Sequence, residues 1–339
     1  MTIKEIAILA GTSRGTVDRV INKRGKVAKD VEERVLAVIK ETNYRPNEVG
    51  RSLSLSNKKI NIGVVIASIG NSFFNLIIEG IQAAALKYKN YGICLIIKEV
   101  DLFNKKSIIK ALDELHDAEI DALAISTLND KDICSKIDSL EVPVVAINLN
   151  IEVKNKISFV GCDYINSGKL IANFTNLVTH DHEKIGIICG SMTHGGQSLR
   201  LKYFKDNLNE NLEIVDLREN FDDDSISYKV VKEMIEAHPE LQLVVFIGAG
   251  IDGGLTALKE FNNKYKALTV DQSDEVDAGL KSGLVLATVT QHPYTQGVRT
   301  IDLLYDYLLR KRKVEKEKIL DNSLILKESI IPHKIHEID

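Results

Sequence analysis

Apolar residues recur at helical spacing over the first forty positions of the chain. A stripe three and four residues apart predicts a first helix, followed at Gly11 by the permissive backbone that a tight turn needs. Two further amphipathic segments, residues 14–22 and about 29–42, predict a compact three-helix unit. The stripe of the first helix consists of Ile3, Ile6, Ala7 and Ala10.

Polar residues mark where the first two helices begin. Thr2 and Glu5 have the spacing of a capping box, and Ser13 is placed to cap the second helix. That helix divides into an apolar and a polar side, as expected for a helix that reads a DNA groove. Its inward residues are Val17, Val20 and Ile21, and its outward residues are Arg14, Gly15, Asp18, Arg19 and Asn22.

From Ile60 onward, apolar runs of strand length alternate with longer amphipathic segments. The runs cover residues 60–67, 93–97, 122–126, 144–147, 184–189, 243–247, 267–270 and 286–290, and a last helix is expected over 295–310. This alternation predicts an α/β fold with parallel sheets covered by helices. Because the runs fall into two halves, we expect two doubly wound lobes that bind a ligand at the carboxyl ends of their strands.

Charge is distributed unevenly along the 339 residues. Residues 1–59 contain 13 Lys and Arg against 7 Asp and Glu, a net charge of +6, whereas the whole chain carries −4, so the remainder carries −10. A basic N-terminal region on an acidic body indicates that only this region binds a polyanion.

Several classes of protein are not indicated. No apolar run reaches the roughly 18 residues of a membrane span, and no signal peptide is recognisable, so we expect a cytoplasmic protein without membrane contact. The four cysteines and eight histidines lack metal-ligand spacing, and no nucleophile elbow occurs. The sequence therefore predicts no catalytic residues, no metal and no cofactor.

Three motifs in the first 55 residues resemble the lac repressor family: TIKEIAILAGTSRGTVDRVIN, NYRPN and GRSLS. The resemblance implies a helix-turn-helix domain over 1–46, a hinge helix and linker over 47–59, and an effector domain over 60–339. It also implies that the second helix enters the major groove and that a hinge leucine wedges into the minor groove. The residues that this assigns to DNA are Thr2, Ser13, Arg14, Gly15, Thr16, Arg19, Asn22 and Leu53.

Departures from that family lie at two helix positions. Ala28 stands where a Ser or Thr usually caps the third helix, which predicts a weak start. Gly50 stands where the hinge usually has Ala, so we expect the hinge to fold only on DNA. Two roles remain open for Leu53: insertion into the minor groove, or a linker contact with the large domain.

The body resembles the ribose-binding type of periplasmic binding protein through NSFFNLIIEGIQAAA, VPVVAIN, VGCDYINSGKLIA, TVDQS and ATVTQHPYTQG. The resemblance implies an N-lobe of about 60–159 plus 291–322 and a C-lobe of about 160–290 plus 323–339. It implies a sugar or polyol held between aromatic walls and hydrogen-bonding residues. The assigned residues are Asn71, Phe73, Phe74, Ser126, Asn148, Arg200, Gly250, Asp252, Asp271 and Gln291. The family normally has Asp and Arg where this chain has Asn148 and Leu149, which argues against a simple pentose.

One motif supports a competing interpretation. Gly248, Gly250 and Gly253 form a GxGxxG that follows a predicted strand, and Asp271 ends the next strand, as in a dinucleotide-binding fingerprint. A fingerprint strand normally opens its domain, whereas several strands precede this one.

The first hypothesis is a homodimeric repressor that binds palindromic operator DNA under effector control. The alternatives are a nicotinamide-sensing regulator or oxidoreductase, and a cytoplasmic solute-binding module without DNA binding.

Overall fold

A computed structural model describes residues 3–21, 25, 27–42, 59–69, 71–192, 195–262 and 264–330. The chain divides into two compact units, residues 1–59 with 90–92 and the remainder of the chain. Each unit has a hydrophobic core of its own.

Three short helices form the N-terminal unit: α1 (Ile3–Leu9), α2 (Arg14–Ile21) and α3 (Lys29–Glu41). Gly11 adopts a φ of 60° in the turn after α1, a conformation that favours glycine. Ser13 Oγ accepts the N–H of Thr16 at 3.1 Å and caps α2, as predicted. Ala28 gives α3 no side-chain cap. The buried core consists of Ile6, Ala7, Ala10, Val17, Val20 and Val35.

The larger unit contains two lobes, each built on a six-stranded sheet. In chain order the first lobe contains β1 (Ile60–Ile66), α4 (Phe73–Lys87), β2 (Ile93–Glu99), α5 (Lys105–Asp117), β3 (Ala122–Ile125), α6 (Lys131–Asp138), β4 (Val144–Ile147) and β5 (Lys156–Cys162). The second contains α7 (Tyr164–Val178), β6 (Lys184–Cys189), α8 (Gly195–Asp206), β7 (Glu213–Glu219), α9 (Asp224–Ala237), β8 (Leu243–Phe246), α10 (Ile251–Lys259), β9 (Lys266–Val270), α11 (Asp274–Ser282) and β10 (Val285–Thr290). Then α12 (Pro293–Leu308) and β11 (Glu317–Leu320) return to the first lobe, and β12 (Ser323–Ile325) returns to the second.

The strand orders are β11-β5-β4-β3-β1-β2 and β12-β10-β9-β8-β6-β7. All neighbouring strands are parallel except β12, which runs antiparallel to β10. In the register of the first sheet, Val64 lies opposite Ile97 on one side and Ala124 on the other. Central strands such as β3 and β8 are buried at every position, which explains why they are apolar without alternation.

Hydrogen bonds join the three chain segments that cross between the lobes. Cys162 Sγ donates to Gln291 Oε1 at 2.9 Å, which links the first crossing to the second. Asn322 Nδ2 donates to the carbonyl oxygen of Asp163 at 2.7 Å, which links the third crossing to the first. A change in the angle between the lobes would therefore act on all three segments together.

Four strands differ from the pattern predicted above. The edge strands β7, β11 and β12 are partly exposed and carry polar residues, so they lack a continuous apolar run. The interior strand β5 is interrupted by Ser158 and Gly161, residues that weaken a strand signal. It extends the first lobe to Cys162, three residues beyond the expected crossing.

Candidate nucleic-acid interface and ligand cleft

The outer surface of α2 presents the residues that the sequence assigned to base contact. Arg14, Gly15 and Arg19 are exposed, and Thr16 is half-buried. The Nε of Arg19 donates to the carbonyl oxygen of Gly15 at 3.2 Å, which holds this side chain along the helix surface. Ser13 Oγ lies 2.9 Å from Thr16 Oγ1, so these hydroxyls stabilise the start of the helix. Thr2, Asn22 and Leu53 lie outside the described residues.

A cleft of about 780 Å³ lies between the two lobes of the larger unit. Its walls come from the segments that follow the carboxyl ends of the strands, where doubly wound sheets bind ligands. The first lobe contributes residues 71–74, Leu102 and Asn148, and the second contributes Tyr164, Gln197, Arg200, Asp222, Asp224, residues 248–252, residues 270–273 and Val276, with Gln291 at a crossing. That volume includes the solvent-filled mouth of the cleft, which is open to solvent.

Two phenylalanines form the apolar wall at the start of α4. The rings of Phe73 and Phe74 meet edge to face, with centroids 5.1 Å apart and an interplanar angle of 80°. Phe74 is buried and Phe73 is half-buried, so the pair combines a fixed ring with an accessible one. Asn71 Oδ1 accepts the N–H of Phe73 at 3.1 Å and positions this segment.

Arg200 is a buried cation, with 2% of its surface exposed. Its Nε donates to Ser167 Oγ at 2.9 Å and its Nη1 to the carbonyl oxygen of Ile247 at 2.7 Å. Its Nη2 has no partner, and no described carboxylate lies within ion-pair distance. A buried charge with an unused donor is costly, so an acceptor on a ligand would stabilise this arrangement.

Tyr164 and Asn148 lie beside that guanidinium. The Tyr164 ring centroid is 5.0 Å from Arg200 Cζ, and its hydroxyl donates to the carbonyl oxygen of Asn148 at 3.2 Å. Burial raises the pKa of Tyr164, which keeps the hydroxyl protonated. Asn148 is 6% exposed, has a φ of 59°, and its Nδ2 has no protein partner. Asn148 and Arg200 thus both line the cleft, and each has a buried donor without a protein partner.

Asp271 and Gln291 form a hydrogen-bonded pair next to a crossing. Asp271 Oδ1 accepts the Gln291 N–H at 2.8 Å, and Oδ2 accepts its Nε2. Burial raises the pKa of Asp271 to about 6, although both hydrogen bonds act in the opposite direction. Gln291 also accepts the Cys162 thiol. The cleft is thus connected by hydrogen bonds to the segment that joins the lobes.

Asp222 and Gln197 line the cleft and were not predicted. Gln197 Nε2 lies 3.0 Å from each oxygen of Asp222, whose Oδ1 also accepts the N–H of Ala249 at 2.8 Å. Asp222 follows β7, and Tyr164 follows β5, two strands that the apolar pattern did not reveal. Once those two strands are known, the rule that ligands bind at the carboxyl ends of strands identifies Asp222 and Tyr164.

The three glycines of the GxGxxG motif are required by packing within the protein. A Cβ at Gly248 would lie 2.6 Å from the Gly190 nitrogen, and one at Gly253 would lie 1.8 Å from the carbonyl oxygen of Asp224. Gly250 has a φ of 73°, and a Cβ there would lie 2.6 Å from Asn220 Nδ2. The motif therefore has a structural explanation that involves no pyrophosphate.

Most of the predicted effector residues line this cleft, and Ser126 does not. Its side chain is fully buried at the end of β3, away from the cleft lining, so its assignment to the effector site is not supported. Asp163 caps α7 through the hydrogen bond that its Oδ1 accepts from the N–H of Asn166 at 2.9 Å. The described residues contain no cluster of metal-ligating side chains and no helix long and apolar enough to span a membrane.

Family models match both units. Residues 2–47 match bacterial regulatory proteins of the lacI family, and residues 62–312 match the periplasmic binding protein domain. The chain therefore carries a domain of the lacI family of bacterial regulatory proteins over residues 2–47, and over most of its length it belongs to the family of periplasmic binding protein domains. Its larger unit is a periplasmic binding protein domain, as the sequence resemblance implied.

Relatives of this chain include two proteins named HTH-type transcriptional repressor PurR. That of Haemophilus influenzae is 31% identical over 62% of this chain, and the match spans only 60% of that relative. That of Histophilus somni is 27% identical over 97% of this chain and 98% of the relative. The chain therefore has the domain combination of a DNA-binding regulator of transcription with a small-molecule domain, which supports that hypothesis over a solute-binding module without DNA binding.

A solved structure shows the same fold in the larger unit. The solute-binding protein of an ABC transporter from Burkholderia graminis, in complex with D-arabinose, superimposes with a TM-score of 0.73 at 20% identity. The match covers 80% of this chain and 96% of that protein. At this identity the likeness concerns the fold alone.

Proposed function

We propose that this protein is a homodimeric transcription repressor that binds a palindromic operator and responds to a sugar or polyol in the interlobe cleft. In this proposal it acts in the cytoplasm and has no catalytic role. Binding of the effector changes operator affinity because the two binding free energies are coupled. The observation that carries the proposal is the combination of an apolar aromatic wall with buried, unsatisfied hydrogen-bonding groups in one cleft.

The chemistry of the cleft supports a polyhydroxy effector. Each hydroxyl both donates and accepts, and the lining offers carboxylate acceptors as well as the donors of Asn148 and Arg200. The phenylalanine rings supply a surface for the apolar side of a ring-shaped ligand. The packed glycines of residues 248–253 argue against a nicotinamide dinucleotide at this loop.

Operator binding is tested by incubating the purified chain with fragmented genomic DNA and sequencing the retained fragments. We expect an inverted repeat, and retardation that weakens linearly with the logarithm of salt concentration. Arg14→Ala should lower affinity about five- to 150-fold, since one good base contact contributes about 1 to 3 kcal/mol. Arg299→Ala removes an equal charge from the larger unit and should have no effect.

Assembly and effector binding need separate measurements. Analytical ultracentrifugation should give twice the 37.7 kDa of one chain. A thermal-shift panel of sugars, polyols, nucleosides and nicotinamide cofactors should give stabilisation only with sugars or polyols, by about 2.7 kcal/mol at 100 times Kd. Stabilisation by a nicotinamide cofactor alone would overturn the proposed effector class.

A further inference from the structure

We infer that the effector carries no negative charge: the cleft selects neutral or amino-bearing polyhydroxy compounds and rejects phosphorylated and acidic ones. This inference rests on the proposed function and narrows the class of effector. It follows from two features of the cleft, the imbalance of charge along its walls and the position of its unsatisfied donors.

Carboxylates outnumber cations in the cleft. Asp222, Asp224, Asp252 and Asp271 line it, whereas Arg200 is its one Arg or Lys among the described residues. None of the four carboxylates has a Lys or Arg partner within 4 Å in the described part of the chain. An anionic ligand would therefore meet more negative than positive side chains in a partly dehydrated site, where Coulomb repulsion is strong.

Asp252 shows this imbalance most directly. Among the described residues, its carboxylate accepts one hydrogen bond, from Ser273 Oγ to Oδ1 at 2.5 Å, and a carboxylate has room for about four. Burial raises the pKa of Asp252, and the nearby charges of Asp224 and Glu275 raise it further. A ligand hydroxyl or ammonium group would donate a hydrogen bond that the Asp252 carboxylate lacks, and it would add no negative charge to those that raise the pKa of Asp252.

Beside Tyr164 the cleft needs a hydrogen-bond acceptor from the ligand instead of a donor. Arg200 Nη2 and Asn148 Nδ2 are unpartnered donors on side chains more than nine-tenths buried. They require an acceptor, and a neutral hydroxyl, ring or carbonyl oxygen provides one without the cost of carrying an anion past the four carboxylates. The cleft therefore fits a ligand with an oxygen acceptor at one edge and several donors at the other.

The test measures thermal stabilisation and Kd for matched sets of compounds with the intact chain. The sets are glucose, glucosamine, glucose 6-phosphate and glucuronate; galactose, galactosamine and galactose 6-phosphate; myo-inositol and its monophosphate; and a nucleoside with its 5′-monophosphate. In any set that binds, we expect the neutral or amino member to bind at least tenfold more tightly than the anionic member. An anionic member that binds equally or more tightly overturns the inference.

Failure of the proposed function gives a different result. Binding restricted to the nucleoside set would overturn the sugar or polyol assignment, and the nucleoside-to-nucleotide ratio would still support or overturn the charge inference. A panel without any binder would overturn both.

Charge-neutral variants identify the residue responsible. Asp252→Asn keeps the size of the side chain and an oxygen that can accept from Ser273, and it should reduce the tenfold discrimination against phosphorylated compounds several-fold. Asp117→Asn is the matched control, because Asp117 is exposed, lies outside the cleft lining, carries the same charge and does not act on the pKa of Asp252. Equal effects of the two substitutions, or no effect of Asp252→Asn, would overturn the role of Asp252.

Discussion

Substitution of Gly253 by alanine tests whether the GxGxxG loop is determined by packing inside the protein. The added Cβ would lie 1.8 Å from the carbonyl oxygen and 2.5 Å from the carbonyl carbon of Asp224. The start of α9 and the first turn of α10 would have to move apart, and overpacking of this kind costs about 1 to 3 kcal/mol. The movement would also weaken the bond that the Gly253 N–H donates to Asp224 Oδ1 at 2.9 Å.

The net effect of the substitution combines three contributions. Weakening the hydrogen bond to the carboxylate destabilises the fold by about 1.5 kcal/mol or more. The higher helix propensity of Ala than of Gly offsets about 1 kcal/mol of that loss. We therefore expect Gly253→Ala to lower the free energy of unfolding by about 2 to 3 kcal/mol. Gly195→Ala is the control: its Cβ would meet nothing within 4 Å, and it should be neutral or stabilising by up to about 1 kcal/mol.

Urea unfolding followed by circular dichroism measures both variants, because the chain contains no tryptophan for a fluorescence signal. A Gly253→Ala protein as stable as the Gly195→Ala control would refute the packing argument. Enhanced fluorescence of a reduced nicotinamide cofactor on mixing with wild-type protein would refute it independently, since the loop would then bind a pyrophosphate.

Three further predictions follow from single side chains. Ser13→Ala should lower the free energy of unfolding of the N-terminal unit by about 1 kcal/mol. Ala28→Ser adds a missing cap and should raise that free energy by a similar amount. Thermal melts and operator affinity measure the effect of each variant. Arg200→Met should abolish the thermal shift with effector. It should change the free energy of unfolding by no more than about 1 kcal/mol, because it removes a buried charge without an ion-pair partner together with two hydrogen bonds. Unfolding of the variant would contradict this expectation. The pKa of Asp271 rises from 3.8 to about 6 on folding, so its contribution to stability is complete below pH 3.8 and is lost as the pH rises through 6. Relative to Asp271→Asn, lowering the pH from 7.5 to 5 should stabilise the wild type by about 1.4 kcal/mol in urea titrations, and a pH-independent difference would show that Asp271 does not titrate in this range.

Much of the fold was predictable because local signals and tertiary structure agree. Runs such as 144–147 and 184–189 match strands with the same bounds, since the positions that these strands bury are apolar on both faces. The edge strand β7 was missed because its seven residues are partly exposed and include four charges. Its omission removed Asp222 from the predicted site, so an error in secondary structure became an error in the cleft.

Backbone conformation set a second limit on prediction. Asn148, Asp222 and Asp271 line the cleft with φ values of 59°, 59° and 65°. Such left-handed conformations of non-glycine residues are sustained by surrounding contacts and often occur at binding sites. Asn and Asp adopt this region more readily than other non-glycine residues, but the sequence did not show which of them would, because stabilising partners such as Gln291 for Asp271 lie far away in the chain.

The amino-acid sequence by itself determined the basic three-helix unit, the α/β class of the body and most of the residues after the strands, because these depend on periodicity, caps and charge along the chain. Tertiary structure decided which of those residues meet. It placed Ser126 in the core and Asp222 in the cleft, and left the donors of Arg200 and Asn148 without partners. It also assigned the glycines of residues 248–253 to packing, since only the folded chain shows which atoms an added Cβ would contact.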